Sequence, residues 1–149
     1  MTLNWQDLFL TAGGRIGRKA FWIAAALLVV AGMILNLLPV VGPLAALALI
    51  YPWTCVLAKR LHDAGRSGWL VLIPAAPSAA SGVLALFAAL AMGNVATAGA
   101  AFATAGLALS VSMIAALIGL GFLLWAGLKP GDDAPNRYGA PAAPLAALT

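Results

Sequence analysis

Glutamate is absent from these 149 residues, cysteine and histidine occur once each, and only 8% of side chains are charged. Each scarcity excludes something. A single cysteine, Cys55, excludes an intrachain disulfide. It sits in an apolar run without metal-ligand spacing, so a buried, inert thiol is expected. One histidine and no glutamate exclude the familiar metal-ligand sets, and no metal or other cofactor is expected. Gly-rich phosphate loops, nucleophile elbows and paired-cysteine motifs are missing as well. Charge at about a third of the usual share could not cover a soluble surface. The solvent of this chain is therefore largely lipid.

Hydrophobic residues make up 64%, and eight Lys/Arg stand against four Asp for a net charge of +4. No groove-reading or stacking motif accompanies the basic residues, so nucleic acid is not an expected partner. Their positions suit the basic side of a membrane instead. The length suggests one domain, taken as residues 1–141, with a Pro/Ala-rich tail at 142–149 expected to be disordered. The first apolar run is too long for a signal-peptide core and is expected to be kept.

Four apolar segments read as spans, at about 20–38, 40–58, 69–92 and 106–128. The first has 19 uncharged residues, which as a helix reach about 28 Å, close to the bilayer's hydrocarbon thickness. Pro39, Gly42 and Pro43 punctuate a turn after it, and Pro52 is expected to kink the second helix. The third begins with Pro74 and Pro77, so a full span competes with a re-entrant start. Ser78 with Gly82, and Ala115 with Gly119, are small pairs that allow helix backbones to approach closely. Gly93 to Ala105 reads as a flexible loop. Before the first span, Trp5, Leu8 and Phe9 lie on one helical face behind Asn4 as an N-cap. This predicts a short amphipathic helix, either in the membrane interface or docked on the protein's own charged face.

Charge sets the topology. Arg15, Arg18 and Lys19 precede the first span, Lys59, Arg60 and Arg66 lie between the second and third, and Lys129 and Arg137 follow the fourth. Four crossings put all eight on one side, and the positive-inside rule makes that side, with both termini, cytoplasmic. Trp22, Trp53, Trp69 and Trp125 fall near the same ends, as interfacial anchors do.

The stretch Lys59–Trp69, KRLHDAGRSGW, concentrates five ionisable side chains between apolar runs. If the second helix continues to Ala64, Asp63 shares a face with Lys59 and Arg60. Gly65 then suits the stop and Ser67 the next cap. His62 beside Asp63 does not make a dyad, because adjacent helical residues point about 100° apart. This motif resembles, together with GRIGRKAFW (Gly14–Trp22) and PGDDAPNRYG (Pro130–Gly139), the three signatures of the DUF805 family of small bacterial inner-membrane proteins, which includes the YhaH type. The resemblance runs from about Leu8 to Pro141. It implies a polytopic membrane domain and supplies no substrate or catalytic residue.

The expected fold is an all-α integral membrane protein, a four-helix bundle with a short N-terminal interfacial helix. Its charged end gathers a candidate ligand site of Arg15, Arg18, Lys59, Arg60, His62, Asp63, Arg66, Asn136 and Arg137. The bland form of that site is a network locking helix ends together; the sharper form binds anionic lipid head groups or a partner. A homo-oligomeric small-solute transport component or channel subunit is the alternative, favoured if Asn36, Thr54, Ser81, Ser110 and Ser112 face one another. A lipid-modifying enzyme is third and would need His62 and Asp63 to converge.

Overall fold

The computed structural model describes residues 5–38, 41–91 and 98–142. Five helices account for most of them: α1 (Trp5–Leu10), α2 (Arg18–Leu35), α3 (Val41–Asp63), α4 (Leu72–Ala91) and α5 (Ala98–Leu128), with a 3-10 turn at Gly68–Val71 leading into α4. Among the described residues there is no strand, only an isolated pairing of Asn136 with Gly139. Four segments are long and apolar enough to cross a membrane: Arg18–Leu35, Val41–Asp63, Gly68–Ala91 and Gly99–Leu128. The protein is therefore a multi-pass membrane protein. Its many exposed large apolar side chains, such as Met33, Phe87, Leu109 and Leu117, are where a bilayer requires them.

The helix ends depart from expectation in informative ways. The second span runs to Asp63, so Lys59–Asp63 form its last turn rather than a connecting loop. Gly65, at φ +67°, then stops it. The Arg66 N–H bonds the Leu61 carbonyl at 2.8 Å and the Gly65 N–H the His62 carbonyl at 3.1 Å, the two bonds of a Schellman stop. Ser67 caps the next turn by accepting from the Trp69 N–H. The third segment is helical throughout Gly68–Ala91, long and apolar enough to cross a membrane. Pro74 lies in the first turn of α4, where the missing N–H would have no helical partner.

The flexible loop expected through Ala105 is also corrected. Helix α5 begins at Ala98, because Ala is the best helix former and no Pro interrupts the segment. The loop's first residues, the Asn4 cap, part of the Pro39–Pro43 turn and the tail beyond 142 lie outside the described residues.

Helix α3 is the axis, contacting α1, α2, α4 and α5, while α4 and α5 form the tightest pair. Its fully buried Val56 and Leu61 join Phe21 and Ala24 of α2 and Ala126 of α5 in one core cluster at the basic end. Small residues act as expected at Gly82, where a Cβ would meet Leu47 at 2.8 Å. At Gly119 they do not: a Cβ there meets nothing within 4 Å. Gly127 is the closer approach, seated against Trp22 and Phe21. Helix α1 docks on α3, with Leu8 buried while Trp5 and Leu10 stay exposed.

Candidate functional site

The three charged motifs meet at one end of the bundle, and Asp63 is where they join. Its Oδ1 accepts from Arg15 Nε at 3.1 Å and its Oδ2 from Arg60 Nη1 at 2.5 Å. Both guanidinium groups are withdrawn from solvent, with side-chain exposures of 1% and 0%. A buried cation needs every donor satisfied, and main-chain carbonyls supply most of the acceptors.

Arg15 uses its full set of five N–H groups. Besides Asp63 Oδ1, they reach the carbonyls of Ala134 (2.9 Å), Gly139 (3.3 Å), Asp63 (3.4 Å) and Asp132. Arg60 donates to the carbonyls of Ala126 (3.0 Å), Ile16 (3.5 Å) and Lys129. The carbonyls at the end of α5 have no partner within their helix, and a guanidinium placed there satisfies them and the helix dipole together. Arg60 is thus a cap for α5 supplied from α3.

Close backbone approach makes this geometry attainable. Gly131 lies against the Asp63 carboxylate, leaving no room for a Cβ, and the Asp132 N–H bonds the Asp63 carbonyl at 2.7 Å. Asn136 completes the tie, its amide donating to the His62 carbonyl at 3.0 Å and to Asp132 Oδ2 at 2.9 Å.

His62 faces away from Asp63. Its Nδ1 is 3.2 Å from the Gly14 carbonyl, which can only accept, so Nδ1 carries a proton and Nε2 is the acceptor of the neutral ring. The ring stacks on Tyr138 at 3.8 Å. Tyr138 was not among the expected site residues; an aromatic beside Arg137 in the tail motif was its only signal. A Cβ at Gly68 would come within 2.8 Å of Nε2.

Lys59 does not pair with Asp63. It reaches instead to the carbonyls of Asp7 and Leu8 (3.4 Å) and so holds α1. Of the expected site, the structure brings together Arg15, Arg60, Asp63, His62 and Asn136. Arg18, Arg66 and Arg137 lie outside the network, exposed, as does Lys19. Among the described residues none of these four is in an ion pair, though Arg137 lies over the Tyr138 ring. Trp22, Trp69 and Trp125 are exposed near the basic end, whereas Trp53 is half-buried and lines the interior.

Two spaces lie in the bundle, and only the second touches the network, through His62. One is a partly open cleft of about 490 Å³ inside the bundle, walled by Leu28, Gly32 and Asn36 of α2 and by Ser112, Gly119 and Leu123 of α5, with Thr54 and Trp53 of α3 between. Its polar groups mostly look to their own helices: Asn36 donates to Gly32, Thr54 to Ile50, Ser78 to Pro74 and Ser81 to Ser78. Ser110 is exposed and does not line it. The other is a surface pocket of about 380 Å³ walled by His62, Ser67, Gly68, Trp69 and Tyr138.

Residues 9–140 match the family model described as "Protein of unknown function (DUF805)". Two curated relatives match, each called "Uncharacterized protein YiiR", from Escherichia coli strain K12 and from Escherichia coli O157:H7. Each is 37% identical over 76 residues, covering 46% of this chain and 52% of the relative. The chain thus spans about half the length of the curated relatives it matches. No solved structure matches it.

Proposed function

This chain belongs to the DUF805 family, and from that premise we propose that it is a bacterial inner-membrane protein whose basic face lies in the cytoplasm and binds anionic lipid head groups. The observation that carries the reading is the division of seven of the eight cations into two groups, Lys129 lying half-buried over Trp125. Arg15, Lys59 and Arg60 are consumed by carbonyls and Asp63, whereas Arg18, Lys19, Arg66 and Arg137 are exposed and without ion pairs among the described residues. The sequestered group holds the helix ends together, and the exposed group gives the bundle a rigid basic rim. Juxtamembrane cations gain about 1 kcal/mol each from an anionic surface, so four contribute about 4 kcal/mol.

Native mass spectrometry on protein taken gently from mixed-lipid membranes tests this. Wild type is expected to retain phosphatidylglycerol over phosphatidylcholine, and the fourfold Arg18, Lys19, Arg66 and Arg137→Gln variant to lose that preference. Equal preference in both would remove the reading.

The second reading, an oligomeric transport component or channel subunit, draws on Asn36, Thr54, Ser81 and Ser112 lining one cleft. Bonds from three of these to their own helices oppose it, because they leave few donors for a solute. Release of trapped small solutes from proteoliposomes above the protein-free rate would favour transport.

A further inference from the structure

The intramembrane cleft and the surface pocket are neighbours: Thr54 and Val71 line both. One is apolar and set in the membrane-spanning part of the molecule. The other lies at the basic end and offers an imidazole, a hydroxyl and two aromatic rings. An apolar channel joined to a polar mouth has the shape of an amphiphile.

We infer that the two form a single phospholipid site, one acyl chain lying in the cleft and the anionic head group resting in the pocket of His62, Ser67 and Tyr138. The inference deepens the proposed binding of anionic lipid and rests on it for the charge of the head group.

Three observations lead to the chain. The matter surrounding a membrane-spanning helix is hydrocarbon, and a space of this size is too costly to leave unfilled in a packed interior. Most hydroxyl and amide donors on the cleft wall are already bonded within their helices, so the space is not built for water, which needs two to four polar partners. Gly119 presents open space where even a methyl group would fit, which leaves room for a chain against α5.

Two more lead to the head group. With its Nδ1 proton committed to the Gly14 carbonyl, His62 has Nε2 left as an acceptor for a glycerol hydroxyl of the head group, and the absence of a side chain at Gly68 leaves room beside that atom, while the phosphate charge is met by the basic rim. Arg66 and Arg137, both exposed, flank the pocket residues Ser67 and Tyr138 in sequence and supply positive charge at its rim.

The test uses the full chain in nanodiscs of phosphatidylcholine with a minority of phosphatidylglycerol carrying a photoreactive diazirine at the end of one acyl chain. Labelling at Gly32, Leu49 and Ala116 is expected to exceed that at the outward residues Leu109 and Leu117 about tenfold. Gly119→Phe should lower cleft labelling to the outward level, and Gly119→Ala should keep it. Dye reaction at buried Cys55 reports whether each variant is folded.

Even labelling over all lipid-facing surfaces, or cleft labelling unchanged in a folded Gly119→Phe, would overturn the site. Equal cleft labelling by a phosphatidylcholine probe would overturn the anionic head group in the pocket and leave the selectivity of the basic rim to the retention experiment. Wild type without excess cleft labelling but with phosphatidylglycerol retained would overturn the cleft site and leave the basic rim standing.

Discussion

Arg60 shows how much one buried guanidinium can hold. It is fully enclosed, joins Asp63 on its own helix and caps α5 through the carbonyls of Ala126 and Lys129. Arg60→Ala leaves those carbonyls and a carboxylate oxygen without this partner, and is expected to destabilise by about 3–5 kcal/mol. Arg66→Ala, at an exposed position, should stay within about 0.5 kcal/mol. Both are read from the temperature at which the single, buried Cys55 becomes reactive to a thiol dye. Equal shifts would refute the division between sequestered and free cations. At Gly65, a Cβ would meet Asp132 Oδ2 at 2.7 Å on a backbone at φ +67°. Gly65→Ala should therefore lower stability by at least the roughly 1–2 kcal/mol that left-handed strain costs. Gly139→Ala, with nothing near its Cβ, should show the strain alone in the same assay. The Arg60–Asp63 pair was legible in the sequence from its spacing. The carbonyl partners were not, because every residue carries a carbonyl and the main chain leaves no mark in a sequence. The same blindness hid the destination of Lys59: both Asp63 oxygens are occupied by arginines, and the ammonium turns to α1 instead.

Among elements, α1 depends most on what another helix supplies. Its six residues are too few to be a stable helix unaided. It is fastened by Lys59 on the carbonyls of Asp7 and Leu8, by the Tyr51 hydroxyl on Leu10 at 2.8 Å, and by buried Leu8. A hydrogen bond from a charged donor contributes about 1.5–3 kcal/mol, so Lys59→Met should speed amide exchange over residues 5–10 by about 10- to 100-fold. Unchanged exchange would mean that Leu8 and Tyr51 suffice. The spans were legible because a bilayer imposes length and hydropathy on them, whereas their ends were not. Hydropathy marks the middle of a helix, and the ends of α3 and α5 are set by Gly65 and by alanine propensity. Nor could periodicity separate Gly119, which faces the cleft, from Gly127, which faces Trp22.

For the whole molecule, alternating helices bring the charged motifs to one end, and this was legible from charge distribution alone. With Cys55→Ser as background, Lys19→Cys and Arg137→Cys are expected to react with a membrane-impermeant reagent only once cytoplasmic access is opened. Leu37→Cys, from the exposed far end of α2, should react from outside. Reaction of Lys19→Cys and Arg137→Cys from opposite sides would break the four-span topology. The clasp also has a consequence for how the protein is made. Arg15 and its acceptor Ala134 stand 119 positions apart, so the ribosome delivers the guanidinium long before the carbonyl that receives it. Arg60 likewise waits for the end of α5. The first helices are therefore held as an unlatched intermediate throughout synthesis, and the last motif to emerge is the one that shuts it. A nascent chain that stalls before Pro130 would hold every span and every partner of Arg60, yet leave Arg15 with Asp63 alone and without the carbonyls of Asp132, Ala134 and Gly139.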